Sequence, residues 1–216
     1  MRLIYVFCLL LSFFSVARSQ SVSRWEKEIS AFEKQDAEKT GRQKVIIFTG
    51  SSTIRRWSDI NTYFPGKLIL NRGFGGSHAS DLLYFADRIT GDNKIKQILI
   101  YEGDNDLAAG KTVERVVDDL KKIVKHYRYN YPRATISILS IKPSPARQKY
   151  LTQIKEVNKQ MQIFMASGKR YQFIDVFNPL LKEDGNPKEE IFVPDGVHMD
   201  MEGYKLWAEA IRPYLE

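Results

Sequence analysis

The sequence predicts an α/β fold, a three-layer α/β/α sandwich in which helices cover both faces of a central five-stranded parallel sheet. Five short apolar runs recur along the chain, stretches with helical spacing of apolar residues lie between them, and no internal repeat or low-complexity linker interrupts the alternation. Strands that alternate with helices indicate parallel crossovers, which bury a sheet on both faces. A chain of about 200 residues can supply the core that this arrangement needs.

The predicted elements follow one another along the chain as helix and strand. A polar amphipathic opening at 23–39 suits a helix, and apolar residues at three-and-four spacing predict further helices at 112–129 and 146–166. A terminal helix carries Tyr204, Trp207 and Ile211. The predicted strands are the apolar runs at 44–49, 68–71, 97–102, 135–140 and 172–176.

The first 19 residues have the three-part pattern of a secretory signal peptide. Arg2 supplies a cationic start, residues 3–16 are almost entirely apolar, and Ala17 and Ser19 are small residues suited to cleavage. The alternative is a membrane anchor, but the apolar run is shorter than the roughly 20 residues that a spanning helix needs. We therefore expect residues 1–19 to be a signal peptide, residues 20–216 to form one domain, and the cleaved protein to be secreted or periplasmic without stable membrane insertion.

Composition excludes several kinds of chemistry. The only cysteine, Cys8, lies in the predicted signal peptide, so the cleaved chain would have no thiol nucleophile, thiolate metal site or disulfide. Cleavage would leave 31 basic and 26 acidic residues, a net charge of +5. These charges are mixed along the chain and no nucleic-acid motif accompanies them, so we expect no nucleic-acid partner.

Side chains capable of chemistry follow the carboxyl ends of the predicted strands, the edge where open α/β sheets bind ligands. The loops read GSS at 50–52, NRGFGG at 71–76 and GDND at 103–106, and DGVH follows the last strand at 195–198. The two serines directly follow an apolar run that is expected to be a buried strand. Together the four loops supply a serine, glycine amides, an asparagine and an acid–histidine pair.

These residue types suit acyl transfer. A serine hydroxyl becomes a good nucleophile only when a base takes its proton, and imidazole does so near neutral pH. Asp195 is close enough in sequence to His198 for one local turn to bring its carboxylate to the ring, which needs a partner on its second nitrogen. The backbone N–H groups of Ser52 and Gly76 and the side-chain amide of Asn105 are candidate donors to an oxyanion.

Each motif also has a plainer interpretation. The serines at 51 and 52 could cap a helix, and Asp195 could start a turn while His198 caps the terminal helix. The glycine loop lacks the G-x-G-x-x-G spacing of a dinucleotide site, so we expect no nucleotide there. Clustered carboxylates at Asp104 and Asp106 suggest a cation site, but the spacing of a known metal loop is absent, and we expect neither metal nor cofactor.

The four motifs in this order resemble the SGNH hydrolase superfamily, the GDSL-like esterases and lipases, over residues 44–215. The resemblance implies a flavodoxin-like SGNH fold with Ser52 as nucleophile and His198 as base beside Asp195. It also implies an oxyanion hole formed by Ser52, Gly76 and Asn105. The subgroup most similar in its GFGG loop contains secreted bacterial proteins related to platelet-activating-factor acetylhydrolase subunits.

One motif departs from the family pattern. Ser51 stands where the first block usually has the acid of Gly-Asp-Ser, although that acid is not the carboxylate that orients the histidine. We therefore expect Ser52 to be the nucleophile, with Ser51 as a rival.

Cations and aromatics near these loops suggest a small ester substrate with a polar or anionic alcohol portion, such as a short-acyl or sugar ester. We expect Arg72 and Lys142 to contact it; ordinary packing is the alternative for this group, which comprises Arg56, Trp57, Arg72, Tyr101, Lys142 and Arg147. Two other functions stay open. One is a catalytically inactive secreted binding module on the same fold, and the other is a metal-dependent phosphatase or nuclease using Asp104, Asp106 and Asp195.

Overall fold

The structure, a computed structural model, describes residues 23–38 and 43–216. A five-stranded sheet lies at its centre, in which every neighbouring pair of strands is parallel and the order is β2-β1-β3-β4-β5. This is the flavodoxin-like order of a doubly wound sheet, so the predicted fold class is confirmed. The strands are β1 (Val45–Gly50), β2 (Ile69–Gly73), β3 (Ile95–Tyr101), β4 (Thr135–Leu139) and β5 (Tyr171–Ile174).

Eight α-helices and four short 3₁₀ segments surround the sheet in the described ranges. The α-helices are α1 (Glu26–Ala37), α2 (Ser52–Arg55), α3 (Ile60–Tyr63), α4 (Ala79–Thr90), α5 (Asp104–Ala108), α6 (Val113–Asn130), α7 (Leu151–Ala166) and α8 (Met201–Ile211). The 3₁₀ segments are Pro145–Tyr150, Asn178–Leu180, Glu189–Ile191 and Arg212–Tyr214.

Observed strand ends lie within about two residues of the predicted ones, the margin expected for assigned boundaries. The predicted helix at 146–166 is in fact two elements, because Pro145 begins a 3₁₀ turn before α7 starts at Leu151. Helix α4 is not among the elements predicted from the sequence, although its buried residues Leu82, Phe85 and Ile89 repeat at helical spacing.

The core consists of two apolar layers, one on each face of the sheet. Alternation along β1 sends Val45 and Ile47 to the layer shared with α1, α4, α6 and α7, while Ile46 and Phe48 join the layer shared with α2, α3 and α8. All six residues of β1 are buried. This explains why the strand reads as a continuous apolar run rather than an alternating one.

The predicted signal peptide, residues 1–19, lies outside the described residues, and the assignment of residues 20–216 to one domain stays a prediction. Within the described ranges, none of the helices combines the length and apolar character needed to cross a membrane.

Candidate active site

A cleft of about 560 Å³ opens at the carboxyl edge of the sheet, the edge formed by the carboxyl ends of the strands. The sequence-predicted residues Ser52, Gly76, Asn105, Asp195 and His198 all line it. The structure thus brings together five residues that are spread over nearly 150 positions of the chain. The remaining lining residues are Arg24, Trp25, Glu28, Arg55, Gly75, Arg147 and Val197.

Gly50 sets the exit of the chain from β1. Its φ of +134° lies in a region that favours glycine, and a Cβ atom there would lie 2.0 Å from the carbonyl oxygen of Tyr101 on β3. The absence of a side chain at Gly50 therefore lets the backbone pass close to β3 as it leaves the sheet. Ser51 is extended, and Ser52 begins α2 at the carboxyl edge.

Ser52, His198 and Asp195 form a hydrogen-bonded chain. The Oγ atom of Ser52 lies 2.8 Å from Nε2 of His198, and Nδ1 of that ring lies 2.7 Å from Oδ2 of Asp195. In the neutral tautomer that fits this arrangement, Nδ1 donates to the carboxylate and Nε2 accepts from the serine hydroxyl. Ser51 is buried and only 2% exposed, so it is Ser52 that the fold brings to the imidazole.

A tight loop holds Asp195 and His198. An antiparallel bridge between Phe192 and Met199 closes it, and the N–H of Val193 donates to the carbonyl oxygen of His198 at 2.9 Å. The terminal helix α8 is capped instead by Asp200, whose side chain accepts from the N–H of Gly203. The alternative in which His198 caps that helix is therefore wrong.

The second carboxylate oxygen of Asp195 is also engaged within the loop. Oδ1 accepts from the backbone N–H groups of Val197 at 2.8 Å and His198 at 2.9 Å. Partial burial alone would raise the pKa of Asp195, but the hydrogen bonds from His198 and Val197 outweigh it and hold that pKa well below its ordinary value. Asp195 is consequently a carboxylate throughout the neutral and mildly acidic range.

The three candidate oxyanion donors belong to residues that line the cleft, Ser52, Gly76 and Asn105. Gly103, with φ of +109°, starts α5 and places Asn105 in the cleft, where one N–H of its amide donates to the carbonyl oxygen of Ser77 at 3.0 Å. The second N–H of that amide remains available. Ser52, as the first residue of α2, has a backbone N–H without an intrahelical acceptor, and Gly76 lines the same cleft.

A buried carboxyl group supports Asn105 from behind. Glu102, at the end of the β3 strand, is only 2% exposed and accepts a hydrogen bond from the Oγ of Ser77 at 2.5 Å. Burial, reinforced by the charge of Asp106, raises the pKa of Glu102 well above its ordinary value and favours the neutral acid. Glu102, Ser77 and Asn105 thus form a second hydrogen-bonded series, which the sequence analysis missed.

We expect the variant Glu102→Gln to change how stability depends on pH. Folded protein keeps the proton on Glu102, whereas the unfolded chain loses it above a pKa of about 4.5, so unfolding releases a proton. The wild-type free energy of unfolding should therefore fall as pH rises from about 4.5 towards the raised pKa, by roughly 1 kcal/mol per pH unit for one proton. Glutamine mimics the neutral acid and removes this contribution.

Urea unfolding of the wild type and Glu102→Gln at several pH values between 4.5 and 8 measures the effect. The stability of the variant relative to the wild type should increase with pH. Glu209→Gln, at an exposed position of α8, is the matched control and should show no such trend. A constant difference between Glu102→Gln and the wild type would mean that Glu102 is ionised in the folded protein.

The prediction that Arg72 and Lys142 contact substrate is wrong, because both side chains are fully buried. Arg72 donates to Gln35 and pairs with Asp36, so it ties α1 to the sheet. Lys142 donates to Oδ2 of Asp104 at 2.9 Å beneath α5. A charged residue near a strand end can be enclosed by an acid from a distant part of the chain, and no local pattern reveals that partner.

Both aromatic residues of the predicted group are likewise enclosed. Trp57 and Tyr101 are both fully buried in the layer beneath α8, where each packs edge-on against Trp207. Of that predicted group, only Arg147 lines the cleft. Arg56 lies outside the cleft, with its Nη1 atom 3.6 Å from Oδ2 of Asp195.

The aspartates of the GDND loop face cations rather than Asp195. Asp104 is bound by Lys142 and Arg147, and Asp106 pairs with Lys111 at 2.6 Å. Across residues 23–38 and 43–216, no three His, Cys, Asp or Glu side chains are grouped so that they could hold a metal ion. These contacts do not favour the phosphatase or nuclease alternative.

Helix α1 and the residues before it supply part of the cleft that the sequence analysis did not anticipate. Arg24, Trp25 and Glu28 lie there, and the indole N–H of Trp25 donates to the carbonyl oxygen of Gly75 at 2.8 Å. An amphipathic N-terminal helix carries no sign of where it docks, so the sequence offered no signal for this contribution.

The fold and the site together define a class: an α/β protein with a hydrogen-bonded serine, histidine and aspartate at the carboxyl edge of a doubly wound sheet. The chain belongs to the GDSL-like lipase/acylhydrolase family, a family of ester hydrolases whose model matches residues 38–206. No curated protein sequence is significantly similar to it.

Solved structures share this fold. A Streptococcus pneumonia protein provisionally assigned as a platelet activating factor superimposes with a TM-score of 0.80 at 22% identity, covering 95% of this chain and 99% of that one. A provisionally assigned acylhydrolase from Bacteroides fragilis gives 0.72 at 18% identity, with coverages of 84% and 92%. A GDSL-like lipase from Bacteroides thetaiotaomicron gives 0.68 at 16% identity, with coverages of 89% and 96%.

Proposed function

We propose that this protein is a secreted serine esterase that cleaves a carboxylic ester through an acyl-enzyme intermediate. The observation that carries the proposal is the hydrogen-bonded chain from Ser52 through His198 to Asp195. Such a chain is what a serine needs to lose its proton at neutral pH. Membership of a family of ester hydrolases supports the same reaction class.

In the first half of the reaction, Nε2 of His198 takes the hydroxyl proton of Ser52 while Oγ forms a bond to the ester carbonyl carbon. Asp195, already a carboxylate, stabilises the imidazolium that results. The carbonyl oxygen becomes an oxyanion, which accepts hydrogen bonds from the N–H groups of Ser52 and Gly76 and the amide of Asn105. Collapse of this intermediate breaks the carbon–oxygen ester bond, and His198 returns its proton to the departing alcohol.

In the second half, water replaces the alcohol. His198 takes a proton from the water while the oxygen of the water attacks the acyl carbon. The N–H groups of Ser52 and Gly76 and the amide of Asn105 again donate to the oxyanion that forms. Collapse breaks the bond to Ser52, whose oxygen recovers the proton from His198, and the carboxylic acid leaves. No cofactor enters this sequence.

The character of the cleft supports a small ester. Its rim is formed largely by polar and charged side chains, among them Arg24, Glu28, Arg55 and Arg147, and Trp25 is the one large aromatic in the lining. A long lipid tail requires an extended apolar surface to cover it. We therefore propose a short acyl group and a polar alcohol, such as a sugar, as the general form of the substrate.

Labelling with a fluorophosphonate tests the proposed function without knowledge of the substrate. We expect the intact mass to rise by one adduct and peptide mapping to place that adduct on Ser52, because only an activated serine attacks the phosphorus at an appreciable rate. A serine esterase of known activity, labelled in parallel, controls for the reagent. Absence of an adduct when that control labels fully would reject the esterase and favour the inactive binding module.

A further inference from the structure

Two arginine side chains pack against the glycine loop, residues 74–77, which carries one of the proposed oxyanion donors. A Cβ atom built on Gly75 would lie 2.4 Å from the guanidinium carbon of Arg55, and one on Gly76 would lie 2.6 Å from Nη2 of Arg24. The two guanidinium groups therefore occupy the space that side chains at 75 and 76 would fill. Because residues 75 and 76 are both glycines, the guanidinium groups of Arg55 and Arg24 can lie beside the proposed oxyanion donor Gly76.

Further contacts hold each guanidinium group in place. Nη2 of Arg24 donates to the carbonyl oxygen of Gly75 at 3.2 Å, and its guanidinium lies 4.9 Å from the ring centroid of Trp25, which is itself buried. Nη1 of Arg55 donates to Glu28 at 2.8 Å. Glu28 lies in α1, and Arg24 and Trp25 directly precede that helix, so this segment of the chain positions both arginines.

The carboxylates around the cleft neutralise these two cations only in part. Asp195 is engaged by His198, and Asp104 is shared between Lys142 and Arg147. Glu28 pairs with Arg55, and in the described part of the chain no carboxylate pairs with Arg24. The cleft therefore carries an excess of positive charge next to Ser52.

We propose that Arg24 and Arg55 bind an anionic group of the substrate, a carboxylate, sulfate or phosphate, so that the preferred ester is negatively charged. This inference rests on the proposed esterase function and specifies its substrate class. A guanidinium presents paired N–H donors that match the oxygens of such a group, and charged partners make these hydrogen bonds about twice as strong as neutral ones. Glu28 weakens the site by partly neutralising Arg55.

Matched esters that differ only in charge test the proposal. One pair is 4-acetoxybenzoate and 4-acetoxybenzamide, which places the charge on the alcohol side. The other is the mono-4-nitrophenyl ester of succinic acid and 4-nitrophenyl butyrate, which places it on the acyl side. The measured quantity is the ratio of kcat/KM for the anionic ester to that for the neutral ester of the same pair.

For at least one pair, we expect the double variant Arg24→Gln/Arg55→Gln to lower this ratio by about 10- to 100-fold, the range for losing hydrogen bonds to a charged group. Glu28→Gln should change the ratio in the opposite direction. Added salt should lower the wild-type ratio, since it screens exposed charges. Arg133→Gln is the matched control, because Arg133 is exposed before β4 at the opposite edge of the sheet, and it should leave the ratio unchanged.

A ratio that the double variant does not alter for either pair, while the neutral esters are hydrolysed, would overturn the anion site and leave the esterase intact. Failure of the esterase itself would appear separately, as absence of both hydrolysis and fluorophosphonate labelling. In that event, calorimetric binding of the corresponding amides still tests the site. Tighter binding of the anionic amide, lost in the double variant, supports it, and equal binding of anionic and neutral amides overturns it.

Discussion

Replacement of Ser52 by alanine is expected to lower ester hydrolysis by on the order of 10⁶-fold, the scale seen when a serine hydrolase loses its nucleophile. In the proposed mechanism the side chain of Ser52 bonds to the substrate, and Ser52 is the serine, among the described residues, whose hydroxyl contacts His198. Its Oγ lies 2.8 Å from Nε2 of His198, whereas Ser51 is buried in the turn after β1. Hydrolysis of a 4-nitrophenyl ester and labelling by a fluorophosphonate measure the loss.

Ser51→Ala is the matched control for this variant. It removes the same hydroxyl group one residue away, at the position where the family usually has an acid, and should retain most of the activity. Circular dichroism and thermal unfolding should show that both variants remain folded. If Ser51→Ala were the inactive variant and Ser52→Ala the active one, the nucleophile would be Ser51 and the proposed geometry would be wrong.

The sheet could be predicted from sequence because its strands are buried on both faces. β1 reads as an unbroken apolar run for that reason, and the segments between the strands carry helical spacing. The meeting of the five sequence-predicted site residues in one cleft could also be predicted, since parallel strands place their carboxyl ends at one edge of the sheet. Local sequence and topology were sufficient for these features.

Features that depend on distant packing could not be predicted. Arg72 lies at a strand end, which suggested a substrate contact, but its partner Asp36 comes from α1 and encloses it. Glu28 of the same helix pairs with Arg55, and Arg24, just before the helix, lies against Gly76. Docking of α1 and the residues before it therefore determines how Arg24 and Arg55 are held at the cleft, and the sequence of α1 shows only its amphipathic character.

Replacement of Asn105 by alanine is expected to lower kcat by about 10²- to 10³-fold with little change in KM, the effect of removing one oxyanion donor. An oxyanion exists only in the transition state and the tetrahedral intermediate, so its donor contributes little to binding of the ground-state ester. The structure fixes this amide through Ser77, which Glu102 holds in turn. That support keeps the donor in place before substrate arrives, which is the condition for a large electrostatic contribution.

Because Asn105 also donates to the backbone, loss of activity alone would not separate a catalytic from a structural role. Asn158→Ala provides the comparison, since Asn158 bridges the backbone N–H and carbonyl of Ile141 at 2.7 and 2.9 Å and lies outside the cleft. Both variants should lower the melting temperature, but only Asn105→Ala should reduce kcat of the folded protein. Equal reductions of kcat, or a change confined to KM in Asn105→Ala, would contradict an oxyanion role, because destabilisation or weaker ground-state binding would then account for the loss.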